Sequence, residues 1–171
     1  LEHIAAKLAQ QALAFIYEQI NQGIDIDGNR YKYSDKPFSL PYRKNIIAKF
    51  GKRQEGSLYQ IFTGSNGRKS ILILGGYRVY KEKMAKSMDF LTWSGEMLAA
   101  MTVIEPNKDT AKIVFNNKEA LIKAYYLNVL GVGKSRKLWK FFGLTKENTQ
   151  KLNELAKEYA DVMITEDFKW R

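Results

Sequence analysis

Two pairs of short β-branched and aromatic runs constrain this chain more than anything else in it. "SLYQIFTG" and "KSILILGG" are separated by "SNGR", whose Asn66-Gly67 pair suits a hairpin turn. "MTVIE" and "AKIVFN" flank "PNKDT" and read as a second hairpin. Helical patterns lie before, between and after the two pairs. That order predicts an α+β fold, with an antiparallel β-sheet from hairpins packed with an N-terminal and a C-terminal helix. At 171 residues and 45% hydrophobic, the chain is expected to form a single domain over residues 1–171.

The helices can be placed by period. In "LEHIAAKLAQQALAFIYEQI", Leu1, Ile4, Ala5, Leu8, Ala12, Phe15 and Ile16 recur at steps of three and four, and Gly23 ends the pattern. Residues 24–56 carry turn residues, prolines and tyrosines and read as an extended basic arm or long loop, with "YRKNIIAKF" as a short basic helix stopped by Gly51. "YRVYKEKMAKSM" has helical composition. "EALIKAYYLNVL" is apolar nearly all round, the pattern of a helix that is either buried or docked on another subunit. The last helix has Thr145 as its N-cap, Glu147 in the first turn, a Glu147–Lys151 pair, and an apolar stripe through Leu152, Leu155, Ala156, Tyr159, Val162 and Met163.

Catalytic signatures are sparse. "GVGKSRK" contains the end of a phosphate-binding loop, but the first glycine of G-x-x-x-x-G-K-[ST] falls at Asn128, and a helical pattern stands where a strand is required. Asp25 and Asp27 in "GIDIDGN" resemble part of a calcium loop, yet basic residues follow and the later glutamate is missing, so a turn is expected. Gly75-Gly76 after "ILIL" reads as punctuation. There is no cysteine, and the single histidine is His3. No catalytic, metal-binding or cofactor-binding residue is expected, and no cofactor.

Charge points outward. Lys and Arg number 28 against 18 Asp and Glu, a net +10, which implies an anionic contact. Arg43, Lys44, Lys52 and Arg53 belong to one basic stretch; Lys134, Arg136, Lys137 and Lys140 form a second knot. The plain alternative for either is a solvated loop. No run of about 18 apolar residues exists and no basic-then-apolar leader is seen, so neither a membrane span nor secretion is expected.

"LTWSGEMLAAM" and "AYYLNVLGVGKSRKLWKFFGLTKEN" together resemble the bacteriophage virion morphogenesis family, the tail-completion proteins, over roughly the C-terminal half. That family pairs L-T-x-[ST]-G-x-[LM] before a hairpin with a basic loop leading into R-x-F-[FL]-G-L-[ST]. Leu91, Thr92, Ser94, Gly95 and Met97 match the first element; Phe141, Phe142, Gly143, Leu144 and Thr145 match the second. The motif's basic residue falls at Lys137 or Lys140. The resemblance implies a non-enzymatic structural protein that completes the tail or joins tail to head at the neck. Its partners would be copies of itself in a ring, sixfold by expectation, neighbouring tail and neck proteins, and packaged DNA. Its place would be the virion, after assembly in the host cytoplasm.

The interface residues expected on this basis are Leu91, Thr92, Gly95, Met97, Tyr125, Tyr126, Trp139, Phe141, Phe142, Gly143 and Leu144. For Trp139, Phe141 and Phe142 the competing expectation is a core plug beneath the last helix. The alternative function is a basic nucleic-acid-binding protein, since aromatics alternate with cations in "RYKY" and "RKLWKFF". A phosphate-handling enzyme would rest on Gly133-Lys134-Ser135 alone.

Overall fold

A computed structural model describes residues 4–85, 95–132 and 136–169, with side chains as far as 162. The fold is α+β with antiparallel sheets. Where one domain is expected, contacts cluster in two compact units: Leu1–Tyr31, Asp89–Leu91 and Gly95–Arg171 form the larger, Lys32–Met88 and Thr92–Ser94 the smaller.

The larger unit is built on α1 (Ile4–Asn21), which buries Ala6, Ala12, Ile16, Gln19 and Ile20. It ends as the sequence indicates. Gly23 is left-handed (φ 68°), its N–H donates to Ile20 O and that of Ile24 to Gln19 O, the two bonds of a Schellman stop. α1 packs on a two-stranded sheet of β4 (Met101–Asn107) and β5 (Thr110–Phe115), and on α6 (Lys146–Lys169). The β4–β5 register runs from Met101 opposite Phe115 to Asn107 opposite Thr110. Before this hairpin comes the single turn α4 (Glu96–Ala99). After it, α5 (Lys118–Tyr125) is capped by Asn117, whose side chain accepts from Ala120 N at 2.7 Å, and continues as a π-turn over Tyr126–Leu130.

The smaller unit corrects the arm. Within residues 24–56, β1 (Phe38–Pro41) and α2 (Lys44–Phe50) are integral to a three-stranded sheet of order β1-β3-β2, with β2 at Tyr59–Thr63 and β3 at Lys69–Ile73. Pro41 is tolerated because β1 is an edge strand. Ile46, Ile47 and Phe50 of α2 close over Tyr59, Ile71 and Ile73, and Val79, Tyr80 and Met84 of α3 (Gly76–Met84) complete the core. Aromatic rings tie it together: Phe50 lies edge-on to Tyr59 at 5.8 Å, and Phe38 edge-on to Tyr80 at 5.7 Å. The buried Lys81 donates to Tyr33 Oη at 2.7 Å.

Gly76 has φ 67°, and a Cβ there would overlap the backbone of Ser34 and Asp35. "ILILGG" therefore ends in glycine because the chain crosses itself closely at that point. Gly76→Ala should lower the stability of the smaller unit by about 2–5 kcal/mol, backbone strain and overlap combined. Gly23→Ala is the control, with φ 68° and open space around its Cβ, and should cost only the strain. Equal shifts in melting temperature for the two variants would contradict the overlap.

Candidate functional site

α5 is turned inside out. A surface helix of a folded domain normally directs its large apolar residues inward. Here Ala120 and Ala124, one turn apart, are the buried positions, while Leu121 (52% exposed), Ile122, Tyr125 (51%), Tyr126, Val129 and Leu130 face outward. Leu138, in the following segment, is also exposed. Lys118, Glu119 and Lys123 on the same helix are exposed and supply charges of both signs. An apolar patch bordered by charge is the composition of a protein–protein interface. Tyr125 and Tyr126 were expected in such a surface. Leu121, Ile122, Val129, Leu130 and Leu138 belong with them, and the signal for this was the alanine pair.

The segment after the π-turn is fastened to the body of the larger unit. Val132 and Lys137 exchange backbone hydrogen bonds at 3.0 and 3.1 Å, and Trp139 N donates to Leu127 O at 2.8 Å. Trp139 is half-buried, stacked on Tyr31 with centroids 5.0 Å apart and with Lys137 Nζ 4.7 Å from its ring centre. Residues 133–135, which include Lys134 of the GKS tripeptide, lie outside the described residues. Their flanks are a π-turn on one side and irregular chain up to Thr145 on the other. Neither is the strand or the helix that a phosphate-binding loop requires.

Phe141 needs correcting as an interface residue. It is 0% exposed, so it fills the core of its own unit and leaves no surface for a partner. Phe142 is half-buried, 5.1 Å from Phe115 by ring centroid, and its N–H donates to Asn128 Oδ1 at 3.1 Å. Gly143, Leu144 and Thr145 make the turn into α6. Gln19 Nε2 donates to Gly143 O at 3.0 Å, and Gln19 Oε1 accepts from Thr145 N at 3.0 Å and Asn148 Nδ2 at 2.8 Å. Thr145 Oγ1 accepts from Asn148 N at 3.2 Å, the N-cap expected. The F-F-G-L-T run is thus a structural clasp between α1 and α6. Gly95 and Met97 are half-buried at the start of α4; Leu91 and Thr92 lie outside the described residues.

The second basic knot is largely engaged. Lys140 pairs with Asp27 at 2.9 Å and Lys137 covers Trp139, which leaves Arg136 exposed beside them. Asp25 does what a turn residue does: its Oδ1 accepts from Asp27 N at 3.0 Å and Asn29 N at 2.7 Å. Among the described residues no group of three or more His, Asp or Glu is placed to hold a metal ion, and no helix is long and apolar enough to cross a membrane. A hollow of about 580 Å³ lies between α1, the 24–28 turn and the start of α6. Two of its carboxylates are already paired, Asp27 with Lys140 and Glu147 with Lys151. Hydrogen bonding to Lys151, then its charge, holds the Glu147 carboxyl below its usual range.

Burial raises the Tyr17 and Tyr31 phenols above their ordinary range, and Asp25 and then Asp27 push Tyr31 further the same way. Tyr17 Oη also donates to Leu98 O at 2.7 Å. Both pKa values are raised on folding, so their contribution to stability is complete below the ordinary phenol value of about 10 and is lost as pH rises through the folded values. Tyrosinate absorbance should therefore rise in two phases, the later one coinciding with loss of helical circular dichroism. Tyr31→Phe should move that unfolding to higher pH. Ionisation of every tyrosine together, with the fold intact, would contradict this account.

Compared with protein-family models, curated proteins and solved structures, the chain matches none.

Proposed function

We propose that this chain is a non-enzymatic structural subunit of a tailed-phage virion, completing the tail or joining it to the head at the neck, and that copies of it associate in a ring. The single observation that carries the reading is α5, whose large apolar residues face away from their own core. A ring subunit requires a rigid scaffold and a surface for its neighbour, and catalysis is no part of the task. The α1–α6 clasp supplies rigidity beside that surface, through the buried Gln19, Asn148 and Phe141. The phage assignment rests on the motif pair around residues 91–97 and 141–145. Quantitative mass spectrometry of purified particles tests it. The expected result is a small fixed copy number per virion; particles complete without the chain would contradict it.

A further inference from the structure

The net charge is not shared between the two units. The smaller unit holds 13 Lys and Arg against three Asp and Glu, a net +10; the larger holds 15 of each and is neutral. The entire excess therefore belongs to a segment of about sixty residues.

We infer that the smaller unit is a binding module for the phosphate backbone of nucleic acid, with its surface formed by the two ends of α2 and the turn end of the β2–β3 hairpin. Tyr42 N donates to Lys69 O at 3.1 Å, which fixes Arg43 and Lys44 beside Arg68 and Lys69 at one end of the sheet. α2 then runs about 10 Å, seven residues at about 1.5 Å each, to Lys49, Lys52 and Arg53 at its other end. All seven side chains are exposed, and no ion pair among the described residues engages any of them. Of the unit's three acids, Asp35 is taken up by Arg78 at 2.7 Å. Because α2 turns Ile46, Ile47 and Phe50 inward, it presents Asn45 and Ala48 between the cations. That face has no apolar anchor of the kind a bilayer-binding helix carries. Repeated exposed cations without such an anchor suit a polyphosphate, and they contact the backbone without reading bases.

The inference is independent of the assembly reading, since breaking the α5 contact leaves these seven residues unchanged. The test is fluorescence anisotropy of the full chain with a labelled mixed-sequence DNA duplex, and with its single strand, across a salt series. With seven phosphate contacts, affinity for the duplex should fall roughly 10³–10⁴-fold between about 50 and 200 mM salt. In the quadruple variant Arg43→Gln, Lys44→Gln, Arg68→Gln, Lys69→Gln the same interval should cost only a few tens-fold, about the loss expected for three contacts. A control removes the same charge from exposed positions of the larger unit away from α5, through Lys7→Gln, Lys112→Gln, Lys146→Gln and Lys157→Gln, and should keep the parental salt slope. Tighter binding of the single strand than of the duplex would assign the surface to flexible backbone. The inference is overturned by no binding at about 50 mM salt, by a control variant as weakened as the quadruple one, or by polyglutamate competing as well as DNA, which would make the partner an acidic protein.

Discussion

Leu121→Lys with Tyr125→Lys is expected to leave the chain folded and abolish its self-association. The two residues lie one turn apart on the exposed part of α5, 52% and 51% exposed, and the helix is held to its unit by Ala120 and Ala124, about 100° round the helix from them. Leucine and lysine have similar helix propensity and tyrosine is slightly worse, so the helix itself loses nothing. Each side chain is already about half covered, and covering the rest contributes about 1 kcal/mol. The larger effect comes from enclosing two unpaired ammonium groups in an apolar contact, which costs several kcal/mol more. A loss of at least ~100-fold in association, about 2.7 kcal/mol, is the conservative expectation. Circular dichroism and melting temperature at low concentration should match the parent. A variant that still associates would remove α5 from the interface.

Phe141→Ala should do the opposite, unfolding the larger unit and not merely separating subunits. A fully buried phenylalanine truncated to alanine costs about 3–5 kcal/mol, against a total stability of about 5–15 kcal/mol for a typical domain. Phe142→Ala, at a half-buried ring packed on Phe115, should cost less. Denaturant titration of both variants is the check. If Phe141→Ala retained the parental midpoint while assembly failed, Phe141 would be an interface residue after all and its interior placement would be in error.

The local features were legible in the sequence. Asn66-Gly67 marked the β2–β3 hairpin, and Asn66 Oδ1 accepts from Arg68 N at 3.0 Å within it. Gly23 marked the end of α1 and Thr145 the start of α6, because caps depend on a few neighbouring residues. β1 was not legible. "FSLP" is four residues with a proline, and its partner β3 lies some thirty positions downstream, so no local pattern announces it. Gln19 is no part of the apolar stripe read along α1, yet it is 3% exposed and joins α1 to the F-F-G-L-T turn. The partners that justify burying an amide lie more than 120 positions away, at Gly143, Thr145 and Asn148. The same turn shows why an aromatic beside cations need not be a surface: Phe141 is a core side chain, and nothing local in "RKLWKFF" distinguishes it from the half-buried Phe142. The +10 charge was plain from composition, but its segregation required the boundary between Tyr31 and Lys32.

The candidate interface stood between these cases. "EALIKAYYLNVL" had two outcomes from sequence, buried or docked, because an all-round apolar helix has no preferred face. The deciding detail is which residues are small. Alanine allows α5 to approach its own unit closely, and the larger side chains are left to the outside.

The central claim is that this outer face of α5 is covered by another copy of the chain. Sedimentation velocity of the purified protein, with negative-stain images of the same sample, tests it most directly. The account predicts a closed ring whose mass is a whole multiple of 19.7 kDa, reduced to 19.7 kDa by Leu121→Lys with Tyr125→Lys. A parental chain that remains at 19.7 kDa even at about 100 µM, where a contact worth about 5.5 kcal/mol is half formed, would contradict it.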